Sequence, residues 1–454
     1  MPVIGKWGKL ISLFVLLAVL VTANGEAKVA AQSQGPERVN KEISVPAKIA
    51  FTSNQHLFLV DGRDASGKIK QITKDGYAQI VGWSPDGKWL LFVKYKGNDN
   101  YSTPGNVWIV SADGSKAVQV DERAVFETPK WSPKANKLAY TVNVGSNEAP
   151  RLLLIVKEVQ EHGELALQST TKADFADFAW MPDGENLLVS LPAEKNKPMT
   201  LALRTLAGKP LAAYPIAEPP KVVEEGIYPW AATGLKVSPD GKAVAYFVRY
   251  NSGSLSADGV PIQWFDLTQP AKKPIDLGTG LAYPDWLAWT PNGEQLAFVD
   301  GTDRIATTNK QLKLMDRAGK VKTVSPGPVV VDTYPVWIPK APYTLLFTRG
   351  LATEYSYDPK KVMVPEQGIW RRSTDGAEQQ VTKGEANTAD YYPAPSPDGK
   401  QLLFLRLDRA VHGSLFIQGI GENADKQIEL IKDMTGDIGY YANYLPPWVS
   451  VYWE

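Results

Sequence analysis

The chain has 454 residues, with 49 Lys plus Arg against 49 Asp plus Glu, so its formal net charge is zero, and it contains no cysteine. A balanced chain lacks the basic excess that neutralises phosphates, which argues against nucleic-acid binding. The absence of thiols excludes disulfides, thiolate nucleophiles, Cys-ligated zinc and a lipidated-cysteine anchor.

The amino terminus carries Lys6 and Lys9, then an apolar run from Leu10 to Val21 broken only by Ser12. As a helix this run would span about 18 Å, short of the roughly 30 Å hydrocarbon thickness. Residues 1–31 therefore read as a secretory signal peptide, with cleavage after Ala23, Ala27 or Ala31, or alternatively as an uncleaved signal anchor that tethers the protein to the membrane. Both place the body of the protein outside the cytoplasm. Residues 32–46 are polar and aperiodic and read as a flexible lead-in, with the folded domain at 47–454.

From residue 48 the pattern turns to short strands. Segments 48–53, 56–60 and 69–73 resemble the second, third and fourth strands of a unit that lacks its first. Seven related marks follow, among them Trp83-Ser84-Pro85-Asp86-Gly87-Lys88, Trp131-Ser132-Pro133, Trp180-Met181-Pro182-Asp183-Gly184, Val237-Ser238-Pro239-Asp240-Gly241-Lys242 and Pro395-Ser396-Pro397-Asp398-Gly399-Lys400. The shared prolines, Pro85, Pro133, Pro182, Pro239, Pro291, Pro339 and Pro397, recur every 48 to 58 residues, the period of a propeller blade. Each mark predicts a hairpin turn: proline presets φ, Asp bonds its own backbone and Gly accepts a positive φ. Apolar second strands such as Trp89-Leu90-Leu91-Phe92-Val93 and Leu402-Leu403-Phe404-Leu405 suit sheets covered on both faces. A third strand and a weaker fourth complete each unit. At the far end, 447–453 supplies a spare strand. Pairing it with the amino-terminal three closes an all-β propeller of eight four-stranded antiparallel blades, and a seven-bladed ring with terminal extensions is the alternative.

These marks resemble the WD-like repeats of the TolB family of extracytoplasmic propellers, over 49–453, and are also similar to propeller units of the prolyl oligopeptidase and tricorn-protease groups. The resemblance implies a fold more strongly than an activity. TolB has an α/β domain ahead of its propeller, for which 32–46 is too short, and the peptidases need a Gly-x-Ser-x-Gly elbow that this sequence lacks.

Chemical candidates are sparse. His56, His162 and His412 stand at strand ends or turns without metal-ligand spacing. Asp174, Asp177, Asp285, Asp332, Asp390 and Asp437 stand in the approaches to first strands, where a ring gathers them at its channel. Aromatic residues share these approaches. With the long insertions 94–106, 250–261 and 350–367 they predict a loop-rich, aromatic mouth on one face. The expected contacts are Tyr228, Trp230, Tyr283, Trp286, Tyr334, Tyr355, Tyr391 and Tyr392, with Asp332 and Arg349 as polar anchors. The expected function is non-catalytic binding or scaffolding by a secreted or envelope-associated monomer, without cofactor, of a protein, peptide or glycan partner. The alternative is a hydrolase or lyase acting on cell-wall or polysaccharide material with channel carboxylates, assisted by a calcium ion.

Overall fold

A computed structural model describes residues 35–100, 102–146, 149–221, 226–354, 356, 366–408, 412–421, 426–436 and 448–454. They form eight antiparallel sheets arranged as a β-propeller, with one short helix, Gly253–Ala257. Seven blades follow chain order, covering 77–119, 130–172, 177–215, 229–280, 287–323, 330–380 and 388–435. The eighth joins both ends of the chain: Val449–Trp453 is its innermost strand and pairs with Ala47–Ser53, followed by His56–Asp61 and Lys70–Gln71. The eight-bladed expectation holds.

Second strands are buried throughout, as in Trp89–Tyr95 and Ala243–Tyr250, because each is sandwiched between neighbouring blades. The mark itself makes two kinds of contact. Within a blade, the Ser84 hydroxyl donates to Asp86 Oδ1 at 2.7 Å and accepts from the Trp89 amide at 3.0 Å, and the same pattern recurs at Ser238 and Ser396. Between blades, the tryptophan two positions before the proline donates its indole N–H to a main-chain carbonyl on the preceding inner strand. Trp131 reaches Gly82 O, Trp180 reaches Lys130 O, Trp289 reaches Lys236 O and Trp337 reaches Ala288 O, at 3.0 to 3.1 Å. Trp83 makes the corresponding bond to Ser450 O at 3.2 Å, which carries the ladder across the junction of the chain ends. An indole buried among apolar neighbours needs a partner for its N–H, so these bonds fix the inter-blade register as well as filling space.

The turn glycines adopt the left-handed conformation the marks require: φ is 65° at Gly87 and 73° at Gly241. Their surroundings differ. A Cβ at Gly241 would meet Pro182 at 3.5 Å, an ordinary contact, whereas one at Gly87 would collide with the Tyr452 ring. Gly241→Ala should cost about 1 kcal/mol, the backbone term alone, and Gly87→Ala about twice that or more because the blade-eight strand must also shift. Denaturant midpoints of the two variants check the order; equal midpoints would reject it.

Residues 35–46 correct the expectation of a flexible lead-in. Glu37–Arg38 adds a fifth strand to the outer edge of blade seven by pairing with Ile431 and Lys432. Arg38 is buried, donating to Ile43 O at 2.8 Å and Leu430 O at 3.3 Å, and Val45 enters the core between blades seven and eight. The short strand covers an edge that would otherwise present unpaired backbone groups. Residues 1–34, which hold the expected signal segment, lie outside the described residues.

Candidate functional site in the central channel

The inner strands of consecutive blades border two dissimilar hollows. On the side of blades five to eight lies an apolar one of about 300 Å³, lined by Tyr334, Val336, Tyr392, Ala394, Leu403, Val449 and Trp453, with Asp285 at its edge. On the side of blades one to five lies a larger cavity of about 910 Å³, bordered by Gly82, Glu127, Lys130, Asp177, Gly234, Lys236 and Arg249. The 250–261 insertion borders it through Gly253, Ser256 and Ala257, which brings part of the loop-rich face to the cavity's wall.

Its charged groups fall into two sets. Lys130 and Asp177 satisfy each other at 2.8 Å; Asp177 also accepts from the amides of Phe178 and Leu235, at 2.7 and 3.2 Å, so this carboxylate is committed to holding blades two, three and four together. Glu127, Lys236 and Arg249 are different: among the described residues their side-chain polar atoms make no hydrogen bond or ion pair. Arg249 lies over the Trp230 ring at 5.7 Å. Burial pushes the Glu127 carboxyl up to about 7, helped by the nearby Asp177 charge and opposed by Lys130 and Arg249. Lys236 is exposed on the inner strand, yet the crowding of the surrounding blades lowers its ammonium pKa, with the Lys130 charge adding to the shift and Asp285 opposing it.

The raised Glu127 carboxyl predicts a pH dependence of stability. The folded state holds the proton up to about pH 7, whereas an unfolded glutamate releases it near 4.5. The unfolded state thus binds fewer protons between these values, and the stability contributed by this residue falls as pH rises through that window. Glu127→Gln should match the parent near the lower end of the window and exceed it above the upper end. Parallel slopes for both proteins in thermal melts across the window would reject the assignment.

Several predicted site residues have other tasks. Trp286, Tyr334 and Tyr391 are buried, and with half-buried Tyr283 and Tyr392 they form an edge-to-face series across blades five, six and seven: Tyr283 to Trp286 at 4.9 Å, Trp286 to Tyr334 at 6.4 Å, Tyr334 to Tyr391 at 5.9 Å and Tyr334 to Tyr392 at 5.0 Å. Tyr334 and Tyr392 occupy inner-strand bulges with φ of 51° and 52°, which turns these rings inward instead of onto the rim. Asp332 and Arg349 are brought together, but as a bidentate pair at 2.7 Å in which Asp332 is wholly buried, so they anchor the blade and not a ligand. Tyr228 packs between blades three and four, with its amide bonded to Asn251 Oδ1 at 3.0 Å. Trp230, beneath Arg249, is the predicted aromatic that meets the charged cavity's wall. Tyr355 lies outside the described residues, as does Asp437.

The approach acids do not gather as free carboxylates. Asp332 and Asp390 are tied to Arg349 and Arg406, Asp177 to Lys130, and Asp174 bonds Arg204 at 2.6 Å on the exposed surface. Among the described residues no group of three or more His, Asp or Glu side chains is arranged to hold a metal ion. Aromatic approaches alone do not mark Glu127, Lys236 or Arg249 as site residues. A repeat-register reading finds the lysines: the position three before the shared proline is Gly82, Lys130, Ala179, Lys236, Ala288, Val336 and Ala394, two cations among small and apolar residues. Five of these seven border the two hollows.

Neither a protein-family model nor a curated protein sequence matches the chain. Solved structures of similar architecture include a eukaryotic initiation factor, 14% identical with a TM-score of 0.47 over 86% of this chain and 87% of that one. A prolyl endopeptidase is 13% identical with a TM-score of 0.48; the match takes in 79% of this chain but 50% of that one. The putative TolB from Agrobacterium tumefaciens is 13% identical with a TM-score of 0.37, over 90% of this chain and 99% of that one.

Proposed function

We propose that this chain is an extracytoplasmic, TolB-like propeller that binds a partner at its loop-rich mouth without transforming it. The observation that carries the reading is the open cavity of about 910 Å³ whose wall offers Glu127, Lys236 and Arg249, side chains with no hydrogen-bonding partner among the described residues. Uncommitted polar groups converging on a concave site are the usual mark of recognition. Exposed apolar side chains stand around the same face: Phe126 beside Glu127, Leu255 in the helix over the cavity, and Ile227 ahead of the blade-four inner strand.

The apolar residues also relocate the test. Changing Tyr283, Trp286 or Tyr334 would unpack the core, whereas Phe126, Ile227 and Leu255 are exposed and their replacement by Ser leaves the fold's interior untouched. Affinity capture from cell-envelope fractions should recover a partner with the parent protein and lose it several-fold with the triple variant; equal recovery would overturn the choice of face. The hydrolytic reading has one observation in its favour, the Glu127 carboxyl near 7, the range of a general acid or base. It needs a second uncommitted carboxylate, and turnover of cell-wall glycans abolished by Glu127→Gln would replace the binding reading with it.

A further inference from the structure

The loops on the mouth face are tied to one another at blade five. We propose that residues 301–310 form a strap that holds the insertions of blades four and six as one unit, and that the buried Lys310 ammonium is the latch that keeps the strap closed. The device does not depend on what binds at the mouth.

The strap joins the second and third strands of blade five, Gln295–Asp300 and Gln311–Asp316. Two clasps leave it in opposite directions around the ring. Toward blade four, the Asp303 amide donates to Asp258 O at 2.8 Å, and the Arg304 guanidinium pairs with the Asp258 carboxylate. Toward blade six, the Thr353 amide donates to Thr307 O at 3.0 Å, the Thr307 and Thr353 hydroxyls bond each other at 2.7 Å, and the Thr308 hydroxyl donates to Thr353 O at 3.1 Å. Asp258 follows directly on the helix Gly253–Ala257, whose Gly253, Ser256 and Ala257 border the large cavity. The strap therefore steadies one wall of that cavity without lining it.

Lys310 ties the two clasps together. Its side chain is wholly enclosed, and Nζ donates to Thr302 O at 2.9 Å, Asp303 O at 3.1 Å and Thr308 O at 2.9 Å. An ammonium has three hydrogens, and three carbonyls are supplied for them. Two of these belong to the half of the strap that carries the blade-four clasp, and the third to the half that carries the blade-six clasp. Burial pulls the Lys310 pKa down to about 8 against the Asp303 and Asp300 charges, which leaves the group protonated at neutral pH. Asp300 is itself paired with Lys313 at 2.7 Å. A buried ammonium is costly unless its hydrogens are used, and these are used only while the strap is folded around it. The backbone shows the same constraint: φ is 81° at Asp303 and 53° at Asn309, and a Cβ at Gly301 would lie 1.8 Å from Asn309 O, where the ends of the strap meet. Ile305 and Ala306 are buried beneath, with Ala306 in the core cluster that holds Trp286 and Tyr334.

Hydrogen exchange of the full chain near neutral pH, read by mass spectrometry on peptides covering 250–261, 301–310 and 350–354, tests the strap. In Lys310→Ala, exchange should accelerate about tenfold or more in all three segments together, while the blade-one strands Trp89–Tyr95 and Gly105–Ser111 stay as protected as in the parent. n-Propylammonium matches the atoms removed and at millimolar concentration should restore most of the protection. Tetramethylammonium, with the same charge and no N–H, should not. Asp258→Ala cuts the blade-four clasp alone and should loosen 250–261 several-fold while leaving 350–354 unchanged. Should Lys310→Ala fail to melt cooperatively, Gly301→Ala parts the ends of the strap and should release the same three segments. Acceleration confined to 301–310 in either variant would overturn the coupling between blades. Rescue by both cations, or by neither, would overturn the role of Lys310 as the latch.

Discussion

Deletion of residues 448–454 should abolish the cooperative folding of the propeller. The lost segment is the innermost strand of blade eight, and its removal exposes the edge of Ala47–Ser53 along the whole run from Ala47 to Phe51. Trp448 is 1% exposed in the largest core cluster, which joins blade eight to blades five, six and seven. Trp83 loses its indole acceptor at Ser450, Tyr452 its 3.2 Å bond to Pro85 O, and Glu454 its ion pairs with Lys48 and Arg63. Emptying a single buried tryptophan site costs about 3–5 kcal/mol, a large share of the roughly 5–15 kcal/mol that holds an average domain together. The truncated chain should aggregate or melt broadly at low temperature, and a synthetic peptide of residues 448–454 supplied in excess should restore a sharp transition. A truncated protein with the parent's melting temperature would show that the ring does not depend on its closing strand. Trp448→Ala isolates the packing share and should by itself lower stability by about 3 kcal/mol or more.

Ring closure was legible in the sequence because the bookkeeping of strands is discrete: three without a first at one end, one spare at the other. The turn chemistry was legible for the same reason, since proline, Asp and Gly at fixed offsets demand one backbone path. The binding wall was not, and the cause lies in the inner strands. Tyr-Pro pairs at the channel mouth look like rim contacts, but the bulges at Tyr334 and Tyr392 turn those rings inward to line the apolar hollow, an orientation set by backbone conformation that composition does not report. Asp332 and Arg349 were recognisable as important polar residues. Their partnership needed the strand register that places them directly opposite each other, a register repeated at Asp390 and Arg406 in the next blade. Lys236 was hidden because its neighbours in the repeat register are mostly small or apolar, so no local run of charge marks it. The lead-in was misread for a related reason: a two-residue strand has no periodicity to detect, and only the blade edge it covers gives it structure.

The Asp332–Arg349 pair carries the second large effect. Asp332 is completely buried and holds three contacts: Arg349 Nε to Oδ1 and Nη2 to Oδ2, both at 2.7 Å, and the Ser325 hydroxyl to Oδ2 at 2.7 Å. Arg349 also reaches Glu378 at 2.6 Å and lies over the Phe347 and Trp370 rings at 4.9 and 5.0 Å. Removing the guanidinium leaves a buried carboxylate with one hydroxyl donor, whereas Glu378 retains Arg372 at 2.7 Å. Arg349→Met keeps most of the side-chain volume and should still cost about 3–5 kcal/mol, because the penalty is the stranded charge and not a void. The double variant Asp332→Leu with Arg349→Met removes both charges and should recover more than half of that loss. A surface pair gives the contrast: Lys197 and Glu194 are largely exposed, and breaking their contact should leave the denaturant midpoint close to the parent's, because water screens the pair. Denaturant titrations of the two single variants and the double variant measure the coupling directly. Additive losses would mean that the pair is not energetically joined, and an Arg349→Met cost no larger than the surface pair's would mean that water reaches Asp332 and hydrates it.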